Sequence, residues 1–423
     1  MLLFEKGSPN DSLSSEDLRE GLYASLDKLG SPQKIFIVPP DITRLQSRAG
    51  ELTRYAYEYK PDAICGILPA LGTHCAMTQR ETETMFGAVP RNLFRVHNWR
   101  TDCEQFGEVP ADFVASVSEG IVNYPIPVCF NRTLFERAYD CILSISQVVP
   151  HEVAGMAGYN KNIIVGLAGP ETIHKTHFLG AAFGMERLMG KPDSPVRKVF
   201  DYAQENFLAR LPVVHVVTVV GMDASGTLKV RGLFVGNGKE CFSRAAQLSR
   251  SVNIYTLDKP LKKVVVHLDP VEYKSTWLGN KSIYRTRMAI ADGGELVVIA
   301  PGVKMFGEDP EIDRLIRQFG YKGAPAVMRF VTNDDRLKNN LSAAAHLIHG
   351  SSEGRFSITY CPGALSKQEI EQAGFSFVSA QEMLKRYNPD ALSEGMNTLP
   401  DDEEVFFISN PGIGLWAWKE KFI

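Results

Sequence analysis

Lys34-Ile35-Phe36-Ile37-Val38 runs directly into Pro39-Pro40-Asp41-Ile42-Thr43-Arg44. The apolar run is too short for a helix and reads as a strand, and the polar turn after it opens a helical pattern over 47–59. The same alternation continues outward. Residues 63–68 predict a strand leading into Pro69-Ala70-Leu71-Gly72-Thr73-His74, with a helix at 81–86 and further strands at 94–99 and 141–148. Strands at 213–220 and 227–235 flank Gly221-Met222-Asp223-Ala224-Ser225-Gly226, the signature of an antiparallel hairpin. After Asp258-Lys259-Pro260 come a strand at 263–268, a helix from about 280, and a strand at 295–300 behind a Gly293-Gly294 turn. Helices at 310–319 and 340–348 and strands at 355–361 and 404–408 complete the series. This is the pattern of α/β layers, and it predicts two α/β domains, 1–258 and 259–423, with an active-site cleft between them.

A chain of 423 residues and 46.9 kDa exceeds what a single core usually holds, in keeping with that division. Its 46 Lys and Arg nearly balance 49 Asp and Glu, and no basic stretch is dense enough to neutralise a row of phosphates, so nucleic acid is not expected as a partner. The apolar runs are too short for a bilayer and the N-terminus lacks a signal-like stretch, so a cytoplasmic protein without membrane contact is expected. Seven cysteines with no C-x-x-C argue for reduced thiols rather than a disulfide framework or a thiolate zinc site.

In open α/β sheets ligands sit beyond the carboxyl ends of the strands, which directs attention to three loops. Asp41-Ile42-Thr43-Arg44, Gly72-Thr73-His74 and Val149-Pro150-His151 would share one rim. Thr43 and Arg44 suit an anion cradle, with the guanidinium as a two-point clamp; a helix cap and a surface ion pair explain them equally simply. His74 and His151 are acid/base candidates or satisfied structural imidazoles. Downstream lies Ala154-Gly155-Met156-Ala157-Gly158-Tyr159-Asn160-Lys161, whose glycines permit close backbone approach to a ligand. Lys161 is otherwise a solvated charge. His174 and His177, three apart on a helix, offer at best a weak metal site by themselves. His97, His215 and His267 read as structural, and His346 and His349 as the polar edge of an amphipathic helix, with His346 the one that could reach the cleft.

Taken together, Asp41-Ile42-Thr43-Arg44, Gly72-Thr73-His74, Pro150-His151, Ala154-Gly155, Gly158, Lys161, Glu171-Thr172-Ile173 and His177 resemble the nickel-pincer lactate racemase family. The steps of ten residues from His151 to Lys161 and sixteen more to His177 match the family's order. The resemblance implies a nickel-pincer nucleotide, a pyridinium-3-thioamide-5-thiocarboxylic acid mononucleotide carrying Ni, tethered through Lys161 and completed by His177. It implies that Asp41, Thr43 and Arg44 line the cofactor, that His74 and His151 are the acid/base pair, and that Arg44 and Lys281 hold the substrate carboxylate. The first domain would then carry cofactor and catalysis, and the second would close the substrate cleft. The implied reaction is racemisation or C2 epimerisation of a 2-hydroxy acid through a 2-keto acid, with cofactor-synthesis enzymes as partners.

The sequence departs from that family on the substrate side. Ile42 and Leu45 replace the family's His and Pro, Leu278 stands where a glutamine is usual, and the pocket tryptophan has no counterpart near 340–344. The expected substrate is therefore a longer 2-hydroxy acid such as an aldonate, with Asn280, Arg285, His346 and Arg355 as candidates for its extra hydroxyls. Two other readings are kept: a non-catalytic carboxylate- or phosphate-binding homologue, and a conventional NAD-dependent 2-hydroxyacid dehydrogenase. No G-x-G-x-x-G follows an early strand to support the latter.

Overall fold

The computed structural model describes residues 1–223 and 226–422, so Ala224 and Ser225 of the expected hairpin turn lie outside the described residues. The chain divides into two compact units, Met1–Leu179 with Leu188–Asn253, and Gly180–Arg187 with Ile254–Ile423. Both are mixed α/β, as expected.

The first unit is built on strands β1 (Leu2–Gly7), β2 (Ile35–Val38), β3 (Ile64–Ile67), β4 (Cys141–Gln147), β5 (Val213–Met222) and β6 (Leu228–Gly236). They lie in the order β1-β6-β5-β4-β2-β3. From β5 to β3 every pairing is parallel, while β6 and β1 add antiparallel strands at the far edge. Burial on both faces favours apolar residues at every position, which holds for β2 throughout and for the first half of β4, whose Ser144, Ser146 and Gln147 are buried as well. One face is covered by α1 (Ser15–Lys28) and α2 (Ala49–Tyr59), whose Leu18, Leu22, Leu26, Leu52 and Ala56 pack against Ile35, Ile37, Leu143, Ile145, Val214 and Val216. The unit also holds most of α3 (Pro170–Phe183), together with α4 (Pro195–Ala203) and α5 (Lys239–Asn253). Phe242, Ala245 and Ala246 of α5 cover the other face at Val217, Val219 and Phe234.

Residues 94–99 do not form the expected strand. Phe94 makes a single bridge to Ile67, after which the chain turns inward, with His97 bonded to Asn131 at 2.9 Å and to the Ala168 carbonyl at 3.2 Å. A hairpin of Cys103–Val109 and Ile126–Asn131 occurs instead, its half-exposed first arm leaving little apolar signal in the sequence.

In the second unit, β7 (Leu261–His267), β8 (Ile290–Ala300), β9 (Ser357–Pro362), β10 (Ser376–Phe377), β11 (Gly395–Thr398) and β12 (Glu404–Ile408) take the order β10-β9-β8-β7-β12-β11. Only β11 runs antiparallel to its neighbour. Gly293-Gly294 is not a turn before β8 but lies within it. Leu261 pairs with Ile290 and Lys263 with Glu295, so the residues between bulge out, with Gly293 at φ +77. Ile254–Leu257, placed with the first domain by sequence, pairs with Leu415–Trp418 and belongs to the second unit. The helix expected from 280 is two short turns, Thr276–Gly279 and Lys281–Thr286. Among the described residues no helix is long and apolar enough to cross a membrane.

His215 on β5 is structural, as expected. It is buried against the Tyr159 ring, 4.3 Å between centroids, and neither ring nitrogen has a hydrogen-bond partner. Burial, reinforced by the Arg197 cation, holds its pKa down to about 3. The unfolded chain therefore takes up a proton at His215 near neutrality that the folded chain refuses, so stability falls as pH drops below the ordinary histidine range. Between about pH 6.5 and pH 5 this amounts to about 2 kcal/mol. Urea unfolding of His215→Phe across that range should lose this part of the acid sensitivity. An unchanged pH slope would contradict the assignment.

Candidate active site

Because β4, β2 and β3 are adjacent and parallel, the loops after their carboxyl ends share one edge of the sheet. After β2, Asp41 caps the short helical turn Ile42–Ser47 by accepting from the Thr43 amide at 3.1 Å and the Thr43 hydroxyl at 2.5 Å. After β3, Gly72 takes a left-handed conformation and the chain delivers His74, whose Nδ1 lies 2.6 Å from the second Asp41 oxygen. A carboxylate can only accept here, so Nδ1 carries the proton and the lone pair of neutral His74 is on Nε2. Asp41 is only 4% exposed. Burial pushes its pKa up, but the His74 charge and the His74 and Thr43 hydrogen bonds outweigh this, and it stays below the usual carboxylate range.

His151, after β4, is bonded the opposite way. Its Nδ1 accepts from the amides of Val153 at 3.1 Å and Ala154 at 3.4 Å, so the neutral ring carries its proton on Nε2. Burial, with Lys161, Arg44 and His177 adding to it and Glu152 opposing, pushes its pKa well below the ordinary histidine value. His151 is thus a neutral donor, whereas the neutral form of His74 is an acceptor at Nε2.

The loop from His151 to Lys161 is tightly held. Pro150–His151 pairs with Gly155–Met156, and at Gly158 (φ +76) a Cβ would come within 2.7 Å of the Gln147 carbonyl. Lys161 opens a short helix, Lys161–Ile164. Burial lowers its pKa to about 8; Arg44 and Arg197 act in the same direction, while Glu152 and Asp41 oppose it. Although densely surrounded, Lys161 keeps part of its surface accessible. His177 on α3 donates from Nδ1 to the Ile173 carbonyl at 2.7 Å, which puts the lone pair of its neutral ring on Nε2. Arg44 Nη1 is buried without a hydrogen-bond partner.

The structure thus brings together Asp41, Thr43, Arg44, His74, His151, Lys161 and His177, all in the first unit. Sequence reading missed Glu152, whose carboxylate is 3.6 Å from His151 Nδ1. It also missed Gln147, a buried amide at the end of β4 with no partner for either polar atom. A polar residue closing an apolar strand was the available signal for Gln147.

Lys281 lies in the second unit, its ammonium 5.4 Å from the Tyr273 ring centre. The other proposed hydroxyl contacts of that unit are largely committed. Arg285 is buried and donates to the Gly414 carbonyl at 2.9 Å. Arg355 pairs with Glu186 at 3.0 Å and Asp292 at 3.2 Å. His346 and His349 are not a polar edge: their helix, Leu341–His349, is buried from Ser342 onward, and His346 bonds to the Tyr321 hydroxyl at 2.9 Å. The His346 ring also packs 4.5 Å from that of Trp277, an aromatic that the sequence reading overlooked. Asn280 is buried with its carbonyl oxygen unpartnered.

Fold and rim together define a two-unit α/β protein with a lysine and three imidazoles at one sheet edge. Residues 21–187 match the family described as the lactate racemase N-terminal domain. A crystal structure of a structural-genomics protein from Thermotoga maritima is 25% identical, with a TM-score of 0.82 over 97% of this chain and 99% of that one. The lactate racemase apoprotein from Thermoanaerobacterium thermosaccharolyticum has the same fold at 17% identity, with a TM-score of 0.68 over 98% of this chain and 94% of that one. No curated protein matches the chain. The likeness to the lactate racemase N-terminal domain thus lies within the first 187 residues, and the chain as a whole shares its fold with the lactate racemase apoprotein.

The opposed hydrogen bonding of the two imidazoles can be read directly by long-range nitrogen–proton NMR near neutral pH. His151 should be neutral with its proton on Nε2, and should remain so on mild acidification. A His151 that titrates in the ordinary histidine range would overturn the geometry described here.

Proposed function

We propose that the protein is a racemase or C2 epimerase of a 2-hydroxy acid that works with a nickel-pincer nucleotide. The observation that carries this reading is the convergence of His151, Lys161, Arg44 and His177 within electrostatic reach of one another. Their chemistry suits that cofactor. An amine with its pKa lowered to about 8 is partly neutral at physiological pH and able to form a covalent tether. His177 offers Nε2 as an imidazole ligand, a donor that Ni(II) accepts. Among the described residues no three His, Cys, Asp or Glu side chains are placed to hold a metal ion, so a metal at His177 would take its other ligands from a bound organic group. The orphaned Arg44 Nη1 is a donor suited to a phosphate or carboxylate.

When bound, the cofactor would supply a reversible hydride acceptor. The protein's own groups handle charge and protons. Arg44 holds the substrate carboxylate, with Lys281 the second candidate, and Thr43 lines the cofactor. His74, oriented by Asp41, takes the hydroxyl proton at Nε2 as the C2 hydrogen departs, leaving a planar 2-keto acid. His151 steadies the carbonyl oxygen with a hydrogen bond donated from Nε2–H, and His74 returns its proton to that oxygen when the hydrogen comes back to the opposite face. Two imidazoles prepared in opposite tautomers thus divide the work, one accepting and returning the proton and the other stabilising the oxygen. With Arg285 and Arg355 committed elsewhere, Asn280 is the hydroxyl contact that remains for a longer substrate such as an aldonate.

Protein produced alongside the cofactor-synthesis enzymes should carry a mass adduct on Lys161 together with nickel, and should interconvert the C2 epimers of lactate or an aldonate. Loaded enzyme that inverts neither substrate would refute the reading, and so would an unmodified Lys161. Asp41→Asn, which keeps the volume but weakens acceptance from His74, should lower kcat on the order of tenfold to a hundredfold with little change in KM, as expected for loss of an orienting acid/base partner.

A further inference from the structure

Arg197 of α4 is buried beneath the loop that delivers Lys161. Its guanidinium donates to the Met156 carbonyl at 2.6 Å, the Gly158 carbonyl at 3.4 Å and Asn160 Oδ1. The three acceptors are alternate residues of a single loop, and the last immediately precedes Lys161. Asn160 in turn donates from Nδ2 to Asp201 at 2.8 Å, and Asp201 also pairs with Lys239 at 2.6 Å. The carboxylate that balances Arg197 is therefore reached through Asn160. The Phe242 ring lies 4.3 Å from the guanidinium carbon. Backbone carbonyls and an amide do not neutralise a cation, so much of its field remains to act on the amine next along the chain.

We propose that Arg197 is the positioning residue of Lys161: its planar fork fixes loop 156–160, and its positive charge, set behind the loop, favours the neutral, nucleophilic form of the neighbouring amine. The amine is also faced by Glu152 and Asp41, which favour its charged form, and by Arg44 and His151. Among these groups Arg197 combines the charge with a direct grip on the loop. The inference concerns the lysine that the proposed function uses as a tether, but the measurement below needs no cofactor and holds or fails independently of the racemase reading.

Cyanate carbamylates only neutral amines, so the rate of Lys161 modification, followed by peptide mass spectrometry as pH is varied, reports its titration midpoint in the cofactor-free protein. Arg197→Gln should raise that midpoint and slow modification at neutral pH by threefold or more. Arg197→Lys, which keeps the charge without the fork, should restore the midpoint while hydrogen exchange of the 156–160 amides still accelerates severalfold. A folded Arg197→Gln protein with an unchanged Lys161 profile overturns the proposal. Should Arg197→Gln fail to fold, Arg197→Lys decides: wild-type exchange at 156–160 would also overturn it.

Discussion

The candidate site depends on the side-by-side parallel arrangement of β4, β2 and β3. Parallel neighbours end at the same edge, so three loops far apart in sequence must meet there whatever else they contain. The strands can be buried on both faces because helices cover the sheet, which is why apolar side chains dominate them. Each loop then needs its own polar anchoring. Asp41 closes two of them at once by capping the turn after β2 and accepting from the histidine after β3. In this arrangement an early strand, a capped turn and an imidazole form a single mechanical element.

The third loop is anchored differently, and the difference has chemical consequences. His151 spends its Nδ1 lone pair on the amides of its own turn, where His74 gives its Nδ1 proton to a carboxylate. One histidine is thereby made a better acceptor and the other is kept a donor with its charged form suppressed. A pair of identical imidazoles could share these roles only by shuttling protons with water. Here the roles are assigned by backbone and carboxylate before any ligand arrives, which is the preorganisation that proton transfer requires.

Much of this was legible in the sequence because buried strands and the loops behind them leave strong signals. Residues 35–38 and 141–147 could hardly be read otherwise, and the polar residues after them marked the rim. What escaped was polar chemistry in apolar company. Arg197 sits among the buried positions Val196, Val199 and Phe200 of α4, where a charge carries no periodic signal and is easily taken for a surface residue. His346 and His349 were misread for the same reason: their helix is buried on all sides, so polarity did not mark an exposed face. Gly293-Gly294 was read as a turn because paired glycines usually break strands, yet pairing on both sides of them held β8 together through a bulge.

The charge balance of the rim gives the site its direction. Arg44, Lys161 and Arg197 bring positive charge into a poorly solvated region, while Asp41 is already committed to His74 and Thr43 and Glu152 lies close to the His151 end. Such an excess is costly where water is scarce, and part of it is relieved by keeping Lys161 partly neutral and His151 uncharged. An anion would relieve the rest. A bound phosphate or carboxylate would pair with the orphaned donor of Arg44 and lower the field at both the lysine and the histidine. Occupancy would therefore raise the basicity of these groups, so it is the empty site that favours the neutral amine and the uncharged His151 on which the proposed chemistry draws.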